Sequence, residues 1–249
     1  MKVSVKHVSY QYPSGVLALR DVSLDFEQGE QIAIIGENGA GKTTLAKHLN
    51  GLLHPTDGSV LVGEWDTREH TVAQLARKVG YVFQNPDDQL FASSVLAEVS
   101  FGPRNMGIPQ PEIATRVENA LSRVGLEHEA EIHPYDLHAS QRKLVTIAAT
   151  LAMDTPMIIL DEPTTGQDAR GVDQISQIVG SLKTEERTVI AISHDLDFCA
   201  EHFDRIIVMS EGSVLADGNA ENVFAQEELL RQAGVEPPQM VRLATAIDL

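Results

Sequence analysis

The sequence predicts an α/β fold: a largely parallel sheet covered by helices, with a helical segment inserted into it. Three observations predict it. Short apolar runs recur at QIAIIG (31–36), MIIL (157–160), TVIAI (188–192) and RIIVM (205–209), the pattern of strands buried on both faces. A glycine-rich loop, ENGAGKTT (37–44), stands between the first of these runs and a stretch of helical spacing. From about residue 94 to 156 strand signals vanish and the apolar spacing becomes helical.

Each element follows in order. Val3, Val5, Val8 and Tyr10 mark a first strand, Pro13-Ser14-Gly15 a turn, and LALRDVSLDF (17–26) a second strand. QIAIIG and its loop lead into a helix over TLAKHLNGLL (44–53). HPTDG (54–58) reads as a turn, SVLV (59–62) as a strand, and KVGYVFQ (78–84) as a strand running into the polar loop NPDDQ. In the helical segment, PEIATRVENALSRVGL (111–126) places Ile113, Val117, Ala120, Leu121 and Val124 on one face, and SQRKLVTIAATLAM (140–153) forms a second helix. A helix over roughly 168–184 separates MIIL from TVIAI, the βα alternation of a parallel sheet. The tail ELLRQAGVEPPQMVRLATAIDL reads as two helical stretches broken by Pro-Pro.

Composition narrows the function. At 249 residues and 43% apolar content the chain supports one substantial core. Acidic residues outnumber basic ones 36 to 19, a formal net charge of -17, with no clustered Lys and Arg, so no nucleic-acid partner is expected. No run of about twenty apolar residues offers a membrane span, and MKVSVKHVSYQYPSG lacks the apolar centre of a signal peptide. Cys199 is the sole cysteine, which excludes an internal disulfide and points to the cytoplasm. The nine histidines form no HxH or HxxxH cluster.

The chemistry lies in two motifs. GENGAGKT (36–43) fits G-x-x-x-x-G-K-[ST], and its setting between strand and helix separates it from an ordinary glycine turn. Gly36, Gly39 and Gly41 let backbone N–H groups close on a phosphate chain, aided by the helix N-terminus. Lys42 reaches the β- and γ-phosphates, and the Thr43 hydroxyl ligates Mg2+. MIILDE (157–162) ends a strand with two carboxylates, Asp161 to hold Mg2+ and Glu162 to polarise the attacking water. Gln84 and His194 each follow an apolar strand. Singly, a loop glutamine is solvated and a histidine after a strand is a cap; beside these motifs, Gln84 becomes a labile Mg2+ ligand and His194 a group that orients water.

The order Gly36–Thr43, Gln84, Leu137–Gln141, Asp161–Glu162, Gly166–Asp168, His194 resembles the nucleotide-binding subunit of ATP-binding cassette (ABC) transporters, from about residue 3 to 226. YVFQNPDDQLFASSVLAEVSFGPRNMG (81–107) and ELLRQAGVEPP are similar to the ATPases of energy-coupling factor (ECF) importers, which take up vitamins or transition-metal ions. The resemblance implies a P-loop ATPase core over 1–88 and 157–226, with an N-terminal antiparallel β subdomain, an inserted helical subdomain over 89–156 and a helical tail over 227–249. It implies that ATP is held by Gly36, Glu37, Asn38, Gly39, Ala40, Gly41, Lys42, Thr43 and Thr44, with adenine on an aromatic at Tyr12, for which Tyr10 is a rival. Mg2+ falls to Thr43, Gln84 and Asp161, and the catalytic groups are Glu162, His194 and Gln84. The family pairs two ATPase subunits head to tail, so His138, Ala139, Ser140, Gln141 and Asp168 are implied to face nucleotide at the shared interface.

It further implies an integral membrane coupling subunit, docked after Gln84 where Leu90 and Phe91 offer apolar side chains, and a substrate-binding membrane subunit. The chain would then sit peripherally on the cytoplasmic face of the cell membrane. Two departures stand out. The family's Leu-Ser-Gly-Gly-Gln is here Leu137-His138-Ala139-Ser140-Gln141, and Gly-Leu-Asp is Gly166-Gln167-Asp168. Ala139 adds a β-carbon where backbone approaches phosphate, while Ser140 is expected to cap its helix. A weakened phosphate grip favours a heterodimer over a homodimer. An ABC-type ATPase outside transport, and a largely non-catalytic nucleotide switch, are the alternatives.

Overall fold

The computed structural model describes residues 1–246. Two sheets organise it. Strands β1 (Val3–Gln11), β2 (Leu17–Phe26) and β3 (Gln31–Ile35) precede helix α1 (Lys42–Leu49). Then come β4 (Asp57–Val62), β5 (Trp65–Asp66), the short α2 (Val72–Leu75) and β6 (Val79–Val82). Three helices follow, α3 (Val95–Asn105), α4 (Gln110–Arg123) and α5 (Ala139–Ala152). The chain returns to β7 (Met157–Asp161), α6 (Ala169–Thr184), β8 (Thr188–Ile192), α7 (Leu196–His202), β9 (Arg205–Ser210) and β10 (Ser213–Asn219). Helices α8 (Ala220–Phe224), α9 (Glu227–Gln232) and α10 (Gln239–Ala246) close it; the end of the tail expected over 227–249 lies outside the described residues.

The antiparallel sheet runs β2-β1-β4-β5 and the larger sheet β10-β9-β3-β8-β7-β6. In the larger sheet β9, β3, β8, β7 and β6 are parallel, and only β10 is antiparallel to its neighbour. Side chains alternate between its faces, which splits the core in two. Ala33, Ile35, Ile158, Leu160, Val189, Ala191, Ile206 and Val208 pack toward α3–α7. Ile32, Ile34, Met157, Ile159, Ile190, Ile192, Ile207 and Met209 pack toward α1 and the antiparallel sheet. Burial on both faces explains why these strands read as continuous apolar runs. No helix among the described residues is long and apolar enough to cross a membrane.

Several sequence expectations shift. Helix α1 starts at Lys42, two residues early, because Gly41 at its N-cap takes φ 99°, and it stops at Leu49 rather than 53. Asp57 and Gly58 belong to β4, not to the preceding turn. The strand expected over 78–84 ends at Val82, so Gln84 stands in an exposed loop beyond it. Strand β10, absent from the sequence reading, pairs along the whole of β9. Leu90, expected to help form a surface, is 4% exposed and belongs to the core with Val95 and Val99, whereas its neighbour Phe91 is 61% exposed.

Candidate active site

The glycine loop is shaped by close backbone packing. A β-carbon on Gly36 would lie 2.1 Å from the Met209 carbonyl oxygen, and one on Gly41 would lie 2.6 Å from that of Ala18. Both residues also take positive φ, 146° and 99°, so neither position accepts a side chain. Lys42 is buried at the head of α1, and its ammonium donates to the carbonyls of Gly36 at 2.7 Å and Glu37 at 2.9 Å. An ammonium has three N–H donors, so one remains for a ligand. Burial lowers the Lys42 pKa, against the opposing pull of Glu162 and Asp161.

Beta-strand β7 delivers the two carboxylates. Asp161 is 1% exposed and accepts from the Thr43 hydroxyl at 3.2 Å and the Tyr81 hydroxyl at 2.7 Å. Burial raises its pKa in spite of these two donors. The same burial, with Asp161 beside it, pushes the Tyr81 hydroxyl well above its ordinary value, which keeps it a donor. Glu162, also buried, takes φ 50°, in the left-handed region. Its N–H donates to Ile192 at 2.9 Å, and its carboxylate pairs with Nδ1 of the exposed His194 at 2.8 Å. Thr165 adds a long hydroxyl contact of 3.4 Å.

Of these groups Gly41, Lys42, Thr43 and Glu162 line a cavity of about 350 Å³, together with Tyr12, Asn38, Gly39, Ala40, Thr44 and Gln84, and with Val16, Leu17 and Ala18 on its apolar side. Tyr12 shares a hydrogen bond of 3.0 Å with Thr44; Tyr10 stacks edge-on behind it, between Tyr12 and His48, and does not line the cavity. Gly36, Glu37 and His194 line the adjoining cleft with the start of α7 and the tail. The Thr43 hydroxyl and Asp161 carboxylate are hard oxygen donors in mutual contact, the chemistry that Mg2+ takes, and Gln84 lines the same cavity as Thr43.

The remaining predicted residues lie elsewhere. His138, Ala139, Ser140 and Gln141 do not line this cavity but form the open start of α5. Ser140 was expected to cap the helix; His138 occupies the N-cap instead, Ser140 lies in the first turn, and the Gln141 amide oxygen accepts from the His138 N–H at 3.3 Å. Asp168 caps α6 by accepting from the Gly171 N–H at 2.8 Å.

Sequence reasoning missed two site residues. Tyr81 sits inside the apolar strand VGYV, where an aromatic reads as packing. Lys143 is 2% exposed, and its ammonium donates to the carbonyls of Phe83 at 2.8 Å, Gln84 at 2.9 Å and Asp161 at 3.0 Å. Burial lowers its pKa to about 8. The available signal was helical spacing, which puts Lys143 one turn before Ile147 on the same face of its helix.

Comparison with known proteins agrees with this geometry. The model of the family described as ABC transporter matches residues 19–165. The energy-coupling factor transporter ATP-binding protein EcfA of Methanothermobacter thermautotrophicus is 40% identical, over 99% of this chain and 80% of its own length. EcfA of Methanosphaera stadtmanae is also 40% identical, over 99% and 89%. Among solved structures, CbiO1 of Clostridium perfringens, part of the ABC transporter complex CbiONQ, superposes with a TM-score of 0.81 at 37% identity, covering 99% of this chain and 98% of that one. The dimeric ATP-binding cassette MJ0796, in a post-hydrolysis state with ADP and Pi, superposes with a TM-score of 0.79 at 28% identity, over 88% and 98%. With its phosphate loop, paired carboxylates and full-length relatives, the chain belongs to the ABC transporter family, as an ATP-binding subunit of the energy-coupling factor type that hydrolyses ATP.

Proposed function

We propose that the chain is the motor subunit of an ECF-type importer for a vitamin or transition-metal ion. It works at the cytoplasmic face of a membrane, in a dimer with a second ATPase subunit, through an integral membrane coupling subunit. A separate substrate-binding membrane subunit selects the cargo. Residues 1–88 and 157–226 form the nucleotide-binding core, 89–156 the helical subdomain and 227–249 the tail. The observation that supports this most is the one cavity shared by the Lys42–Thr43 loop and Glu162, beside the Thr43–Asp161 pair.

In this reading the loop N–H groups and the N-terminus of α1 hold the phosphates. Lys42 adds its third N–H, already aimed by the Gly36 and Glu37 carbonyls. Tyr12 offers its ring to adenine. Thr43, Asp161 and Gln84 would hold Mg2+, which when bound neutralises charge on the β- and γ-phosphates. Glu162 accepts a proton from the attacking water, and His194, paired with it, orients that water. His138, Ala139, Ser140 and Gln141 face the nucleotide held by the partner ATPase, with Asp168 fixing the start of α6 nearby.

Two substitutions test this. Lys42→Ala removes the cation and lowers both ATP affinity and turnover. Glu162→Gln keeps ATP binding, loses turnover by roughly 10²-fold or more, and traps a dimer with ATP. Wild-type hydrolysis by Glu162→Gln would sink the assignment. Copurification with a membrane protein separates transport from the other uses of such an ATPase.

A further inference from the structure

The ammonium of Lys143 spends all three of its N–H donors on carbonyl oxygens of two other segments. Two belong to Phe83 and Gln84, where β6 gives way to the glutamine loop. The third is the carbonyl of Asp161, which is one half of the peptide group joining Asp161 to Glu162. The other half, the Glu162 N–H, is held by Ile192 of β8. The peptide that carries both carboxylates is therefore fixed from two sides, by α5 through Lys143 and by the sheet through Ile192.

That peptide needs holding. Glu162 takes φ 50°, an uncommon conformation for a residue that carries a side chain, and unlike the exposed Glu186 and Glu211, which share it, Glu162 is buried. Further links fasten the same helix to the same loop. Arg142 pairs with Asp87 at 3.2 Å, and the Gln89 amide donates to the Thr146 carbonyl at 3.4 Å while its oxygen accepts from the Phe83 N–H at 3.2 Å. Helix α5 is capped by His138, within the segment expected to meet the partner's nucleotide. One buried cation thus joins that helix, the glutamine loop and the carboxylate pair.

We propose that Lys143 is a positioning residue for hydrolysis: it sets the Asp161–Glu162 peptide and the Gln84 backbone together, so that the seating of α5 reaches the catalytic carboxylates. The proposal rests on the reading of Glu162 as the group that accepts the proton from water.

The test uses the full chain, assembled with its partner ATPase, and single-turnover hydrolysis of ATP at this chain's own site. Lys143→Met keeps the length and removes every donor. Its hydrolysis rate should fall on the order of 10²-fold, the cost of a small misplacement of reacting groups. Affinity for a fluorescent ADP analogue should stay within about threefold of wild type, because a loss confined to the transition state leaves ground-state binding in place. In a Glu162→Gln background the same substitution should add less than about threefold, since residues acting as one unit are not additive. A general packing defect would lower affinity as well and would multiply with Glu162→Gln. If Lys143→Met does not fold, Lys143→Gln retains two donors and should fold with a rate loss of about tenfold, short of the full misplacement cost. A wild-type rate in either folded variant, or a multiplicative double mutant, overturns the proposal. Unimpaired Glu162→Gln overturns the underlying reading and the proposal together; impaired Glu162→Gln beside an unimpaired Lys143 variant overturns the proposal alone.

Discussion

Leu90 and Phe91 are adjacent, yet they predict opposite phenotypes. Leu90 is 4% exposed and packs in the core; Phe91 is 61% exposed and meets the half-exposed Phe101 edge-on, with ring centroids 4.6 Å apart. The backbone between them and α3 is pinned, because buried Glu98 accepts from the N–H groups of Phe91 at 2.9 Å and Ala92 at 2.7 Å. Leu90→Ala opens a core cavity worth about 2–5 kcal/mol, or roughly 4–20 °C in Tm at about 2–4 °C per kcal/mol. Phe91→Asp forfeits an aromatic contact of about 0.5–1.5 kcal/mol, so its Tm should fall by no more than about 6 °C on the same scale. Its larger effect should be on assembly, since a carboxylate replaces an exposed ring where the family resemblance implies that a membrane coupling subunit docks. The assay is retention of this chain on a tagged membrane subunit, beside the melting curve and basal hydrolysis of the isolated ATPase. Phe91→Asp should keep its fold and lose retention. Full retention of a folded Phe91→Asp would refute docking at this surface.

Two further predictions concern charge and helix start. Burial raises the Asp161 pKa, so its ionisation costs the native state stability above that raised value and costs nothing below the ordinary carboxylate range. Asp161→Asn should therefore abolish Mg2+-dependent hydrolysis and yet raise Tm at pH 8, by about 2–4 °C per kcal/mol, with the gain fading as pH falls through the raised pKa; a gain that grows toward acid would contradict the sign. The triple change His138→Ser, Ala139→Gly and Ser140→Gly places glycines in the first turn of α5, costing about 1–2 kcal/mol of stability. Hydrolysis at the partner's site should nevertheless rise, measured with this chain's own site blocked by Glu162→Gln, and an unchanged rate would mean that the existing turn already grips phosphate well.

The apolar strands were legible because burial on both faces leaves a continuous run, and TVIAI coincides with β8 residue for residue. Strand β10 was not, because SVLADGN is a half-exposed edge held by pairing with β9 rather than by an apolar pattern. Helix α3 escaped separate notice because its sequence carries Gly102 and Pro103, and its buried Glu98 breaks the apolar face. The phosphate loop was legible because its chemistry is local: glycines, lysine and threonine act where they stand. The contact between His194 and Glu162 depends on β7 and β8 being neighbours in register, Asp161 opposite Ile192, which residue spacing alone does not encode. Lys143 lies further still from sequence reasoning, since its partners come from two other segments.

The departures from the family pattern fall where the fold depends on them least. Gly36, Gly41, Lys42, Asp161 and Glu162 are buried: Gly36 lies close against Met209 and Gly41 against Ala18, Lys42 bonds the Gly36 and Glu37 carbonyls, and the carboxylate pair is held by Tyr81 and Ile192. A change at any of them disturbs packing and chemistry together. His138 and Ala139 are exposed, and the start of α5 is held by light contacts, the Gln141 amide on the His138 N–H and the Gln167 amide on the Ser140 carbonyl at 3.4 Å. Gln167 is itself the second departure, so the two altered motifs touch within one subunit. On the proposed function, substitution there should cost little stability beyond the helix turn itself and would change what the helix start presents to a second chain. A homodimer would place the altered turn against both nucleotides, whereas a partner bearing the glycine form would meet this chain's nucleotide with a full set of backbone donors. If the proposed roles hold, an unaltered phosphate loop and carboxylate pair on the chain's own side, with divergence confined to the turn it would present outward, would favour pairing with a different ATPase, despite the general preference of oligomers for identical subunits.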